Sequence, residues 1–215
     1  MPLYKSFQPA LDVRVYIWKI EESESWLSRD VELTPHCQRR VEGMQSELHR
    51  RGFLSIRHLM AEAGYTDADL YYDGNGKPHL TDGTFISITH SFEFTGIILS
   101  RKCEVGIDIE KQRDKILKIA HRFTTMEEYH RMANEEALVR KLTMVWGAKE
   151  SLYKIKGIPG VSFLHHIHVD DFDLGQGGTT ANVLFEGRRT DFETFFLEFE
   201  GFTCVYALQS KGGPF

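Results

Sequence analysis

Apolar and polar residues alternate over 12–20, where Val13, Val15 and Ile17 interleave with Arg14, Tyr16 and Trp18. A period of two places every second side chain on one sheet face, so this stretch predicts a strand. Thr34 followed by Pro35 predicts a helix start: a capping hydroxyl, then a proline where the missing N–H costs nothing. That helix is expected to run towards Gly64, with Gly52 as its weak point. Asp73-Gly74-Asn75-Gly76 reads as a turn. Strands are expected next at 85–89, 94–99 and 105–110, then a helical pattern over 116–132 interrupted around Thr124-Thr125. Asn134 caps a second long helix whose first turn carries Glu135 and Glu136 at the positive end of its dipole. Leu138, Leu142, Val145 and Leu152 supply its apolar stripe. After Gly157 the pattern returns to strands, at 166–170, 182–185, 192–199 and 202–208, with the phenylalanines at 192, 195, 196, 199 and 202 read as packing.

Strand, long helix and strands thus occur twice, once on each side of about residue 105. The fold class this predicts is α+β, with halves at 1–105 and 106–215 and no low-complexity linker between them. A chain of 215 residues buries ample apolar surface. No window reaches the apolar length of a membrane span. No basic-then-apolar leader pattern opens the sequence, since Asp12 and Arg14 interrupt the first apolar stretch. Three cysteines, Cys37, Cys103 and Cys204, are odd in number and far apart, which argues against a disulfide framework. A reducing cytoplasm is the expected location.

A net charge of −5 argues against a general nucleic-acid binder. Positive charge is nevertheless concentrated at Arg39, Arg40, His49, Arg50, Arg51, Arg57 and His58, within the helical stretch expected after Thr34.

Candidate chemistry centres on two segments. In Gly106-Ile107-Asp108-Ile109-Glu110, a strand points Asp108 and Glu110 to one face while Ile107 and Ile109 enter the core. In Trp146-Gly147-Ala148-Lys149-Glu150-Ser151-Leu152-Tyr153-Lys154, a helix puts Glu150 and Lys154 on one face. Three carboxylates beside a cation suit Mg²⁺ holding a phosphate, because Mg²⁺ takes a few carboxylates, some waters and the substrate's own oxygens. The plainer reading makes Glu150 and Lys154 a surface ion pair and leaves Lys149 solvated. His165, His166 and His168 invite a zinc reading, but no further spaced ligand completes such a site. A serine hydrolase built on His90 and Ser91 lacks a nucleophile elbow.

Gly76-Lys77-Pro78, Ile88-Thr89-His90-Ser91, Gly106 to Glu110 and Trp146 to Lys154 stand in the order, and at about the spacing, of the phosphopantetheinyl transferases. The sequence resembles the larger monomeric type that activates surfactin synthetase. With the segment from Arg122-Phe123 to Glu128-Tyr129, the likeness covers roughly the middle third of the chain. It implies two similar halves related by a pseudo-twofold axis, with the active site at their junction.

It also implies transfer of 4'-phosphopantetheine from coenzyme A to a serine of an apo acyl or peptidyl carrier protein, with Mg²⁺ as cofactor. Asp108, Glu110 and Glu150 become the metal ligands, and Asp108, Glu150 and Lys154 the catalytic set. Lys77, Thr89, His90, Arg50, Arg51, Glu128 and Lys154 become contacts for coenzyme A. The family commonly has serine where Thr89 stands and a small polar residue where Gly147 stands. Glu150 as base competes with Glu150 as metal ligand, a metal-bound water being the other relay. Glu128 also follows Thr125 by three residues, as in a capping box. The carrier, typically acidic, is expected to dock near Arg39 and Arg40 or over 123–129. The implied partners are coenzyme A and the carrier, with no nucleic acid and no membrane, and the implied state is a monomer. Two other readings stand beside this one: a metal-dependent phosphodiester or pyrophosphate hydrolase, and a non-catalytic carrier-binding module.

Overall fold

The computed structural model describes residues 3–125 and 132–210, and the chain divides into two units, Met1–Lys102 and Cys103–Phe215. Both are mixed α/β. In the first, strands β1 (Leu3–Ala10), β2 (Val13–Lys19), β5 (Phe85–Ser91) and β6 (Phe94–Ser100) form an antiparallel sheet in the order β1-β2-β6-β5. A short hairpin, β3 (Leu70–Tyr72) with β4 (Pro78–Leu80), encloses the expected turn, where Asp73 Oδ1 accepts from the main-chain N–H of Asn75 and Lys77. A short helix α1 (Glu24–Leu27) precedes the expected long one.

That long helix is two. Thr34 does cap it, its hydroxyl accepting from Cys37 N at 3.3 Å, but α2 (Pro35–Glu42) stops at Gly43 and α3 (Glu47–Glu62) restarts after Ser46. The break has a packing reason: Cys37, Val41 and Met44 fold over Phe53, which a straight helix would carry away from them. Gly52, the expected weak point, stays helical and buried beside Thr95. From α3, Leu54, Leu59 and Met60 pack on Trp18, Ile86, Ile97 and Leu99 of the sheet.

In the second unit, β7 (Val105–Lys111), β8 (Ile167–Val169), β9 (Gly178–Phe185), β10 (Arg188–Phe199) and β11 (Phe202–Gln209) form an antiparallel sheet ordered β7-β11-β10-β9-β8. The helical pattern after β7 yields α4 (Lys115–Ile119) and a single turn at Ala120–Arg122; its remainder, including Glu128 and Tyr129, lies outside the described residues. Helix α5 (Glu135–Lys156) opens on Asn134, which accepts from Ala137 N at 2.8 Å, and ends at Gly157 in the left-handed region that glycine tolerates. Its Leu142, Val145, Ala148, Leu152 and Ile155 are buried in one cluster with Val183, Phe192, Val205 and Ala207. No described helix is long and apolar enough to cross a membrane.

Candidate active site

Two glycines set how closely α5 lies on the sheet. A Cβ at Gly106 on β7 would stand 2.1 Å from Ser151 O of α5, and one at Gly147 would stand 2.6 Å from Val205 Cγ2. No side chain fits the first position, and the second admits one only if Val205 moves. Close approach of helix and sheet is thus the physical reason for glycine at both positions. The same Gly147 Cβ would lie 3.7 Å from Asp108 Oδ2, so the helix crosses directly over the strand acid. Asp108 is 5 % exposed, and Ile107 and Ile109 are fully buried.

Lys154, one turn beyond Glu150, reaches back to β7. Its Nζ donates to Asp108 Oδ1 at 2.8 Å and to Ile107 O at 2.9 Å. The surface pair with Glu150 is therefore replaced by a pair with a buried aspartate. Lys149 is not solvated either. It is wholly buried and donates to Phe163 O and Ile167 O, pinning the segment that leads into β8, because a buried ammonium must find acceptors. Lys141, two turns earlier, does the same with Phe172 O and Asp171.

Glu110 and Glu150 complete the cluster. Both are half-buried, and neither carboxylate accepts a hydrogen bond from the described residues. Burial, and then the Asp108 charge, lifts the pKa of each from 4.5 to about 7; at Glu110 the Arg113 charge opposes the rise, Glu150 adds to it and Lys154 opposes it, while at Glu150 Lys154 opposes it. Three acids thus share the Lys154 ammonium, with the Arg113 guanidinium acting on Glu110. Among the described residues, no three of His, Cys, Asp and Glu stand as a ready-made metal site, and Lys154 already occupies Asp108 Oδ1.

Beside Glu110 lies a cavity of about 160 Å³, walled by Ile116, Ile119, Thr143 and Trp146, with Lys111, Arg113 and Lys115 around it. Residues 104–207 match the profile of the 4'-phosphopantetheinyl transferase superfamily. The matched stretch, just under half of the chain, contains every member of the cluster. The 4'-phosphopantetheinyl transferase AcpT of Salmonella typhi is 28 % identical over 116 residues, 51 % of this chain and 60 % of that protein. AcpT of Salmonella typhimurium strain LT2 matches with the same identity and the same coverage. The chain therefore spans about 60 % of the length of these relatives.

The remaining transferase-like candidates fall in the first unit. Arg50 gives its guanidinium to Glu24, at 2.8 and 2.9 Å, and to Met44 O. Arg51 bonds Ile20 O through Nη2, while its buried Nε has no acceptor among the described residues. Lys77 is half-buried beyond the hairpin turn, Thr89 is buried on β5, and His90 is exposed and stacked on His49 at 6.3 Å. The positive stretch expected there is partly spent. Arg57 is buried against Asp67 at 2.8 Å, and His58 bonds Leu27 O between Trp18 and Trp26. Arg39 and Arg40 remain exposed.

Two other sequence expectations are settled by placement. His166 accepts from Ser162 N at 2.8 Å through its ring, so that nitrogen is committed within the loop before β8, while His168 is exposed and paired with Asp170 at 3.4 Å. Phe123 is a core residue, edge-on to Trp146, and offers no docking surface itself. A feature with no local sequence signal is the bond of Arg140 to Glu198, which Gln112 joins.

Proposed function

We propose that this protein transfers 4'-phosphopantetheine from coenzyme A to a serine of an apo acyl or peptidyl carrier protein, with Mg²⁺. The observation that carries the reading is the cluster Asp108, Glu110, Glu150 and Lys154, closed by α5 over β7 inside the superfamily-matched segment. Its donor set suits a hard divalent cation: carboxylate oxygens only, two of them on glutamates whose ionisation burial opposes. Asp108, Glu110 and Glu150 would hold the metal, which would neutralise charge on the pyrophosphate of coenzyme A. Lys154 then exchanges part of its bond with Asp108 for a phosphate oxygen. A bond forms between the carrier serine oxygen and the pantetheine-side phosphorus, the phosphoanhydride bond breaks, and adenosine 3',5'-bisphosphate leaves. Glu150 serves either as a metal ligand or as the acceptor of the serine proton, because a carboxylate that holds the cation is a poor base.

Lys77, Thr89, His90, Arg50, Arg51 and Glu128 are proposed contacts for coenzyme A. Of the arginine pair, Arg51 has the spare donor, whereas Arg50 must exchange Glu24 for the ligand. For the carrier, the matching surface is the exposed cations Arg113 and Lys115, which line the Glu110 cavity, with exposed Lys118 and Arg122 following in the chain and Asp114 the sole acid among residues 111–122. We assign the protein as monomeric and cytoplasmic on the same reading.

The test is release of adenosine 3',5'-bisphosphate from coenzyme A, followed by chromatography with and without apo carrier. Release only with carrier and Mg²⁺ supports transfer. Release without carrier makes the protein a hydrolase, and carrier binding without release makes it a binding module.

A further inference from the structure

We propose that Gln112, Glu198 and Arg140 form a positioning brace that holds Glu110 in place for a bound divalent cation. The inference rests on the metal reading above. Glu110 stands one residue before the end of β7, where a strand frays unless something beyond it is tied down. Its own carboxylate accepts no hydrogen bond from the described residues, so its position is set by the backbone that carries it.

That backbone is tied twice. Gln112 N donates to Gly201 O at 2.9 Å, and its side chain leaves on the same side as Glu110, two residues before it. Across the sheet, Glu110 faces Thr203 on β11 and Thr203 faces Glu198 on β10, so the three form one row. Gln112 Nε2 lies along this row, donating to Thr203 Oγ1 at 3.0 Å and to Glu198 Oε1 at 2.7 Å.

From α5, Arg140 closes on the same carboxylate with paired bonds of 2.9 and 2.6 Å. The arrangement links the exit of β7 to the helix that carries Glu150. It also neutralises Glu198, which would otherwise stand as a further anion about 10 Å along the row from Glu110, two strand spacings away. The Arg140 hydrogen bond holds the Glu198 carboxyl below its ordinary range, so that acid stays ionised and keeps accepting from Gln112. Partners hydrogen-bonded to a ligand commonly change metal affinity by about 10–100-fold when removed, and a brace that acts through the backbone is expected at the low end of that range.

The test is Mn²⁺ binding to the full chain, read by the loss of free-ion electron paramagnetic resonance signal, beside melting without metal. Gln112→Ala is expected to weaken Mn²⁺ binding by about 10-fold with its metal-free melting temperature nearly unchanged. Gln112→Glu, which sets two carboxylates together, is expected to weaken it further, and adding Glu198→Gln to restore most of the loss. Unchanged Mn²⁺ affinity in Gln112→Ala, with melting alone lowered, makes the network structural and overturns the proposal. Wild type that transfers phosphopantetheine yet binds Mn²⁺ no differently from all three variants also overturns it. Wild type with neither transfer nor Mn²⁺ binding overturns the functional reading and the brace with it.

Discussion

Replacing Glu150 by glutamine should stabilise the metal-free protein at pH 8 and leave it nearly unchanged at pH 4. In the folded chain the Glu150 pKa rises from 4.5 to about 7, so folding retains a proton that the unfolded chain releases between those values. Its favourable contribution is therefore fully present below about pH 4.5 and lost as pH rises through about 7. A rise of about 2.5 pH units at about 1.4 kcal/mol each sets an upper bound of about 3.5 kcal/mol. Partial solvent access reduces this to about 2 kcal/mol. Glutamine keeps the shape of the neutral acid and cannot ionise. At pH 8 the variant should melt roughly 4–8 °C above wild type, at 2–4 °C per kcal/mol for a chain of this size. At pH 4, below both pKa values, the two should coincide within about 1 °C.

Scanning calorimetry at both pH values, with EDTA and then with Mg²⁺, checks this directly. Because the comparison is between variants at equal pH, titration of groups outside the cluster largely cancels; Glu110, whose pKa the Glu150 charge helps raise, ionises more readily in the variant and adds to the gap at pH 8. Mg²⁺ should raise wild-type melting at pH 8 and narrow the gap, since the cation replaces the missing proton. A variant less stable than wild type at pH 8, or a difference independent of pH, refutes the claim that the carboxylate cluster is charge-frustrated without its cation.

The close helix–strand approach makes Gly106→Ala costly by about 2 kcal/mol or more, because its Cβ meets main-chain Ser151 O; Gly147→Ala meets only the Val205 side chain and should cost less in urea unfolding. Lys154→Met leaves Asp108 buried with a net charge and should lose about 3 kcal/mol, most of it recovered by adding Asp108→Asn; no recovery in the double variant contradicts the pairing. Lys115→Glu with Lys118→Glu should raise the carrier KM about 10-fold at low salt with coenzyme A affinity unchanged, and an unchanged carrier KM removes that surface as the dock.

The shared faces of Asp108 with Glu110 and of Glu150 with Lys154 were legible because strand and helix periodicity are local, whereas helix geometry alone left Glu150 and Lys154 as a surface pair and did not bring Lys154 to Asp108. Two residues along a strand or four along a helix decide a shared face whatever surrounds them. Burial was not legible. Lys149 reads as solvated from its type, yet the loop carbonyls of Phe163 and Ile167 that receive it lie 14 and 18 residues away. The Arg140–Glu198 and Gln112–Glu198 bonds span 58 and 86 residues, and neither pair has a signal at short range. The continuous helix after Thr34 failed because propensity extends through Met44 and Gln45, whereas packing on Phe53 favours a turn there. β1 escaped notice as an outer strand whose polar residues, Lys5, Ser6 and Gln8, obscure alternation.

The most direct measurement is the intact mass of an apo acyl carrier protein and an apo peptidyl carrier domain after incubation with this protein, coenzyme A and Mg²⁺. A gain of one phosphopantetheine on either carrier, abolished by EDTA and by Asp108→Ala, is the result required by the carboxylate cluster. A gain that survives EDTA and Asp108→Ala contradicts it.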